Sequence, residues 1–177
     1  MDKYKKKWTI LEQDVFDLLS KRAGEKLSQR EIAKAINASP TAVGNAIRSL
    51  GEIFKTEKAK TINFITFNRD SKRAVELKRA HNLKTIIECG FVDQLEEKLP
   101  GATIILFGSY SWGMDTSRSD IDIAIIGRKE TAIDPQRYEK ELQRTINLSF
   151  YGSLKDVAPH LRNNILSGIV LSGGIEL

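Results

Sequence analysis

Two acids and a glycine-serine corner carry the chemistry legible in this chain. Asp120 and Asp122 flank Ile121 in Ser119-Asp120-Ile121-Asp122-Ile123, at the head of an apolar run ending at Ile126. Strand residues two apart point to one face, so this spacing brings both carboxylates together and sends Ile121 and Ile123 to the core. Neighbouring carboxylates repel and raise each other's pKa unless a cation lies between them. Hard oxygen ligands that leave room for phosphate and water suit Mg²⁺. Upstream, Thr103 to Phe107 is an apolar run bounded by Pro100-Gly101 and Gly108, which predicts a buried strand. Gly108 permits a tight turn, and Ser109 stands where a helix can begin. Free N–H groups at a helix start suit a phosphate. Singly, each piece is commonplace: Gly-Ser is usually only a turn, and Asp-x-Asp is often a solvated strand end. Strand, Gly-Ser, glycine and Ser-Asp-x-Asp leading into a second strand together point to a phosphate and metal site.

Gly108-Ser109, Gly113 and Ser119-Asp120-Ile121-Asp122-Ile123 resemble the signature of the DNA polymerase beta-like nucleotidyltransferase superfamily, and are most similar to its minimal nucleotidyltransferase members. The resemblance covers about the C-terminal half of the chain. It implies Mg²⁺-dependent transfer of a nucleoside monophosphate from a nucleoside triphosphate, with ATP the expected donor, to an acceptor hydroxyl. By the match, Asp120 and Asp122 are the catalytic and metal-holding acids, and Gly108, Ser109, Gly113, Arg118 and Ser119 hold the nucleotide. In a two-metal site one ion sharpens the attacking oxygen and the other steadies the leaving diphosphate. The family's third carboxylate has its best counterpart at Asn147, within Thr145-Ile146-Asn147-Leu148-Ser149-Phe150. Asn147 is thus the third metal position, with an amide where the acid belongs. An amide can ligate through its oxygen, but it is uncharged and cannot act as a base, so the second metal is expected to bind weakly. Asp134, Glu139, Glu141 and Asp156 are acids that lack the strand context. Trp112 stands where many relatives carry a basic residue, and Arg118 is the expected substitute phosphate contact.

Elements must hold these residues in place, and the 177-residue chain has the length for one domain or two small ones. With 41% hydrophobic and 29% charged residues, its composition is that of a globular protein. No apolar run approaches the ~20 residues of a membrane span, and no membrane partner is expected. Met1 to Lys7 is basic but no apolar core follows, so it does not read as a signal peptide. One cysteine, Cys89, excludes an internal disulfide and fits a reducing cytoplasm, with a buried structural thiol as the reading.

Charge divides the chain. Residues 1–82 carry 18 Lys+Arg against 10 Asp+Glu, and residues 83–177 carry 10 against 13, within a net charge of +5. A basic front half suits a polyanion, and nucleic acid is the expected partner. A solubilising surface would have the same composition. In that half, Ile10, Leu11, Val15, Phe16 and Leu19 have helical spacing. Ser28-Gln29-Arg30-Glu31 reads as a capping box opening a helix with Ile32, Ala33 and Ile36. After Asn37-Ala38-Ser39, Ser39-Pro40 opens another helix, which runs to Leu50 with Val43, Ile47 and Leu50 inward and stops at Gly51. Two β-like runs follow, Ile53 to Thr56 and Thr61 to Phe67, about a Glu57-Lys58-Ala59-Lys60 turn. This arrangement resembles a winged helix domain. On DNA, Thr41, Asn45 and Arg48 would face the major groove, and Lys55, Lys58 and Lys60 on the wing would meet phosphate. A protein-contact role would suit the same module.

From Asp70 to Leu99, Ala74, Leu77, Leu83, Ile87, Phe91 and Leu95 form one apolar stripe, Ser71 caps it, and Gly90 divides it into two helices. His81 and Asn82 fall on the polar face. Asp134-Pro135 begins a helix to Leu142, Leu154 to Leu166 forms a last helix, and Gly168 to Leu171 a closing strand. The expected fold class is α+β: a winged helix-turn-helix domain (1–70), a helical connector (71–99) and a nucleotidyltransferase domain (100–177) whose mixed sheet packs against helices. Three roles follow: an active nucleotidyltransferase directed by its front domain, a DNA-binding regulator that senses nucleotide without turnover, or, as minimal nucleotidyltransferases imply, an antitoxin-like partner of a small helical toxin. A homodimer is a further expectation.

Overall fold

The structure, a computed structural model, describes residues 7–175 and divides the chain into two compact units, Met1–Val75 and Glu76–Leu177. Most of the basic start of the chain, expected not to be a signal peptide, lies outside the described residues.

The front unit begins with α1 (Ile10–Lys21), opened by a capping box: Thr9 Oγ1 accepts from the Glu12 N–H, and the Glu12 carboxylate accepts from the Thr9 N–H at 2.8 Å. Val15, Phe16 and Leu19 are buried, while Ile10 is 79% exposed because it falls on the opposite side of the helix wheel. The capping box at Ser28 and Glu31 opens α2 (Gln29–Ala35), and Ser39 caps α3 (Pro40–Leu50) with Pro40 in its first turn. Val43, Ile47 and Leu50 are buried, and Gly51 ends the helix at φ +60°.

Three strands complete this unit: β1 (Leu27–Ser28), β2 (Phe54–Ala59) and β3 (Ile62–Phe67), in antiparallel order β1-β3-β2. The hairpin is longer than its sequence suggests. Glu57, Lys58 and Ala59 belong to β2 and pair with Phe64, Asn63 and Ile62. The turn is Lys60-Thr61, with Lys60 at φ +54°. A two-residue turn of positive φ matches the twist of the strands it joins, which a four-residue polar loop would not.

Ser71 Oγ accepts from the Ala74 N–H at the start of α4 (Lys72–Glu88). Gly90, left-handed at φ +79°, separates α4 from α5 (Phe91–Lys98). The inward face of α4 departs from the expected stripe. Ile86 is fully buried and Ile87 is 50% exposed, and Lys78 and Asn82 are buried in place of apolar residues. Ala74, Lys78, Asn82 and Ile86 recur every four residues along one side of the helix, so the buried side carries polar groups in its middle.

The back unit holds a four-stranded mixed sheet of order β6-β5-β4-β7, built from β4 (Thr103–Phe107), β5 (Ile121–Ile126), β6 (Ile146–Tyr151) and β7 (Ile169–Ser172). β4 runs antiparallel to β5 and β7, and β5 runs parallel to β6. Alternation assigns the faces. Ile104, Leu106, Ile121, Ile123 and Ile125 join Ile86, Phe91 and Leu95 in one core, and Ile105, Phe107 and Ala124 join Val157 and Ile165 in the other. A one-turn helix, α6 (Gly108–Ser111), follows β4, and α7 (Gln136–Leu142) links β5 to β6. The helix expected over Leu154 to Leu166 is broken into a 3₁₀ turn, Leu154–Asp156, and α8 (Pro159–Leu166). Pro159 has no N–H to donate and disfavours helical backbone before it, so α8 starts there.

Candidate functional site

The register of the back sheet brings the three sequence-selected positions to one end of it. Asp122 is the second residue of β5, opposite Phe107 on one side and Asn147 on the other. Asp120, immediately before β5, has the same parity as Asp122. Asn147 Nδ2 donates to Asp120 Oδ2 at 3.3 Å and to Asp122 Oδ1 at 3.2 Å, so both carboxylates converge on a single amide. Asp120 and Asp122 are therefore the carboxylates that could hold a metal, with Asn147 beside them. Asp120 and Asn147 are exposed and Asp122 is half-buried.

Gly108 makes the corner against these acids. Its φ is +74°, and a Cβ there would lie 2.7 Å from Asp122 Oδ2. Only glycine allows both the turn and the close approach. No side chain caps the start of this short helix, so its first N–H groups face the corner without a side-chain acceptor. Ser109 is half-buried at its start, and Gly113, at φ +70°, is buried two residues after its end. Ser119 closes the following loop: its hydroxyl accepts from the Thr116 N–H at 3.0 Å, and its N–H donates to Thr116 O at 3.1 Å. Arg118 is exposed on that loop. Trp112 is 37% exposed and its indole N–H donates to Ser167 O at 3.3 Å.

The four alternative acids serve elsewhere or stand apart from the pair. Asp134 accepts from the Gln136 N–H, Glu139 from the Ile146 N–H and Asp156 from Ser153, and Glu141 is exposed on α7. Among the described residues, no group of three or more His, Cys, Asp or Glu is arranged to hold a metal.

Behind the corner is a cluster that the sequence reading missed. Asp115 is 1% exposed and pairs with Lys78, also 1% exposed. Arg144 Nη2 lies 3.8 Å from the other Asp115 oxygen. Asn82 Nδ2 donates to Asp115 Oδ1 and to Tyr110 O, both at 2.8 Å. Burial, with the Asp115 charge second, pushes the Tyr110 phenol well above its ordinary range. Lys78 and Asn82 sit four apart, in phase with Ala74 and Ile86. That phase was the available signal, since a lysine and an asparagine on a buried face require a buried acid or carbonyl partner. Cys89 is buried as expected; desolvation raises its thiol pKa, and it donates to Ile86 O.

In the front unit, Thr41, Asn45 and Arg48 are exposed on α3, and Arg48 donates to Asn45. Thr41 and Arg48 line a groove with Gln29, Thr56 and Asn63. The three wing lysines do not form the single patch that a loop would give. Strand alternation puts Lys55 and Lys58 on opposite faces of β2, and Lys60 is in the turn. Lys55 pairs with Asp70, and that hydrogen bond holds the Asp70 carboxyl below its ordinary pKa. Lys58 shares the face of Thr56, toward the groove.

No curated protein matches the chain. One similar solved structure is that of a point mutant of ZitR from Lactococcus lactis, at 19% identity over 56% of this chain and 67% of its own, with a TM-score of 0.39, too low to carry an argument. Among the described residues, no helix is long and apolar enough to cross a membrane. The model of the nucleotidyltransferase domain family matches residues 88–172, the stretch that holds the Gly108 corner, both acids and Asn147, and this match supports the nucleotidyltransferase superfamily for the back unit.

Proposed function

We propose that the back unit performs Mg²⁺-dependent transfer of a nucleoside monophosphate from a nucleoside triphosphate, ATP in the first instance, to an acceptor hydroxyl. The observation that carries this reading is the convergence of Asp120 and Asp122 on one amide at 3.3 and 3.2 Å, beside a glycine whose Cβ would crowd Asp122. Two hard carboxylates that share one amide repel unless a cation joins them, so the donor set fits Mg²⁺. Bound there, Mg²⁺ would neutralise charge on the triphosphate and stabilise the departing diphosphate. Asp120 and Asp122 would hold the ion. The N–H groups of the Gly108 corner and the Arg118 guanidinium supply donors to the phosphates. Asn147 turns its amide N–H₂ to both acids and carries no charge, so it cannot take the proton of the acceptor hydroxyl.

A second reading is favoured by that last point: the back unit holds Mg²⁺-nucleotide without turning it over. Calorimetry with ATP or its non-hydrolysable analogue, with Mg²⁺ or with chelator, tests the shared part of both readings. No Mg²⁺-dependent binding sinks both. Diphosphate release from labelled nucleoside triphosphates, together with a modified acceptor, separates the first from the second.

For the front unit we propose nucleic-acid binding by a winged helix. α2 and α3 are joined by a short turn and followed by a hairpin, and α3 presents Thr41, Asn45 and Arg48 outward. Fluorescence anisotropy on duplex DNA over a salt series tests it; an affinity that does not change with salt would exclude phosphate contact.

A further inference from the structure

Asp115 is the buried carboxylate around which the nucleotide corner is assembled. The segment between β4 and β5 has little regular structure beyond the single turn of α6, yet it must hold Gly108, Ser109, Arg118 and Asp120 in register. Its anchor is in the middle. Asp115 meets Lys78 from α4 on one oxygen and Arg144, the residue two before β6, on the other. Asn82, one turn beyond Lys78, joins the Asp115 carboxylate to the carbonyl of Tyr110 in α6. Arg144 is three residues before Asn147, and the intervening Thr145 O accepts from the Ile121 N–H at 2.8 Å, between the two acids. One carboxylate therefore ties together the phosphate corner, the loop to Asp120 and the strand that carries Asn147.

Burying three charges is costly, and apolar side chains could fill the same space at no loss of stability. What apolar groups cannot do is fix direction: ion pairs and hydrogen bonds at a single buried carboxylate select one arrangement of the loop. We infer that Asp115 is a positioning residue for nucleotide binding, acting through the Gly108–Ser111 turn and the loop to Asp120, with Lys78, Asn82 and Arg144 as its supports. This inference rests on the proposed nucleotide site.

The double variant Lys78→Met with Asp115→Asn tests it. It removes the ion pair while leaving one buried positive charge, that of Arg144, as the net charge of the cluster, the same as in the unaltered protein. The amide oxygen introduced at 115 can still accept from Asn82. The expected result is a folded protein by circular dichroism. Its affinity for ATP analogue and Mg²⁺ should be weaker by about tenfold or more, the usual consequence of losing a group that orients a site. The backbone amides of residues 109–119 should exchange faster without nucleotide. Unchanged affinity together with unchanged exchange in the double variant would overturn the inference. If the double variant does not fold, Asn82→Leu applies the same measurements with the ion pair intact: weaker binding and faster exchange support the inference, and unaltered values overturn it. If the unaltered protein itself binds no nucleotide, the site reading has failed independently. Amide exchange in the variants then decides whether Asp115 orders the loop.

Discussion

Asp115 and Asp122 stand seven residues apart around one loop, and their surroundings could hardly differ more. Asp115 is sealed from water and held by two cations and an amide. Asp122, with Asp120 beside it, is open at the sheet end and shares with its neighbour a single neutral amide. A carboxylate buried between two cations and an amide is out of a ligand's reach. A pair of carboxylates with too little positive charge has an unmet need that a divalent cation would meet. On the proposed function, the contrast separates an acid that builds a site from acids that work in it, although all are aspartates in the same stretch.

The contrast can be broken at either end. Asp122→Ala should lower nucleotidyl transfer on the order of a thousandfold, about 4 kcal/mol of lost metal-borne stabilisation. Its denaturant midpoint should barely move, because removing one of two repelling charges costs the fold little. Diphosphate release and urea unfolding check the two halves of that expectation. Asp115→Asn alone should act on the fold as well as on the site. It strands Lys78 and Arg144 without a counter-charge and should cost about 3–5 kcal/mol of stability, read as a lowered urea midpoint.

Asn147→Asp sharpens the comparison. A third carboxylate should deepen the unmet need at the open end, tightening Mg²⁺ and raising transfer by about tenfold, roughly 1.4 kcal/mol. The melting temperature of this variant should fall without Mg²⁺ and recover with it, since three acids repel more than two. Calorimetry and melting curves with and without chelator test it. Gly108→Ala should cost about 1–2 kcal/mol from its positive φ alone. Its methyl group would also press on Asp122 Oδ2, and nucleotide affinity should drop several-fold in the same titration. The smallest effect belongs to the front unit, where the same rule of partnered and available charge applies. Lys58→Ala should reduce the salt slope of DNA binding by about 0.9. Lys55→Ala should change it less, because Asp70 already holds that ammonium.

Much of the site could be read from the chain because its signals are local. Gly108, the Asp120–Asp122 spacing and the apolar runs on both sides follow from turn sterics and strand alternation, and each needs only a few neighbouring residues. The capping box at Ser28, the cap at Ser39 and the stop at Gly51 are equally local. The hairpin was less legible. Glu57 and Lys58 read as turn residues by polarity, but an exposed strand tolerates charge, and the twist-matched turn at Lys60 prevailed. The inward face of α4 was misread for a different reason. Ile87 was placed inside because it is apolar, and Asn82 outside because it is polar, yet Asp115 draws Lys78 and Asn82 inward and turns Ile87 to solvent.

By itself, then, the sequence determined which residues could do chemistry and which short segments would carry them, since propensity, periodicity and capping act over a few residues. It also placed an amide at position 147. Only the tertiary structure decided that Asn147 lies in register with Asp122 and touches both acids, and that a lysine 37 residues before Asp115 neutralises it. Those pairings depend on strand register and on which side of a helix meets the sheet. Both are settled by packing between segments distant in the chain, and no local pattern encodes them.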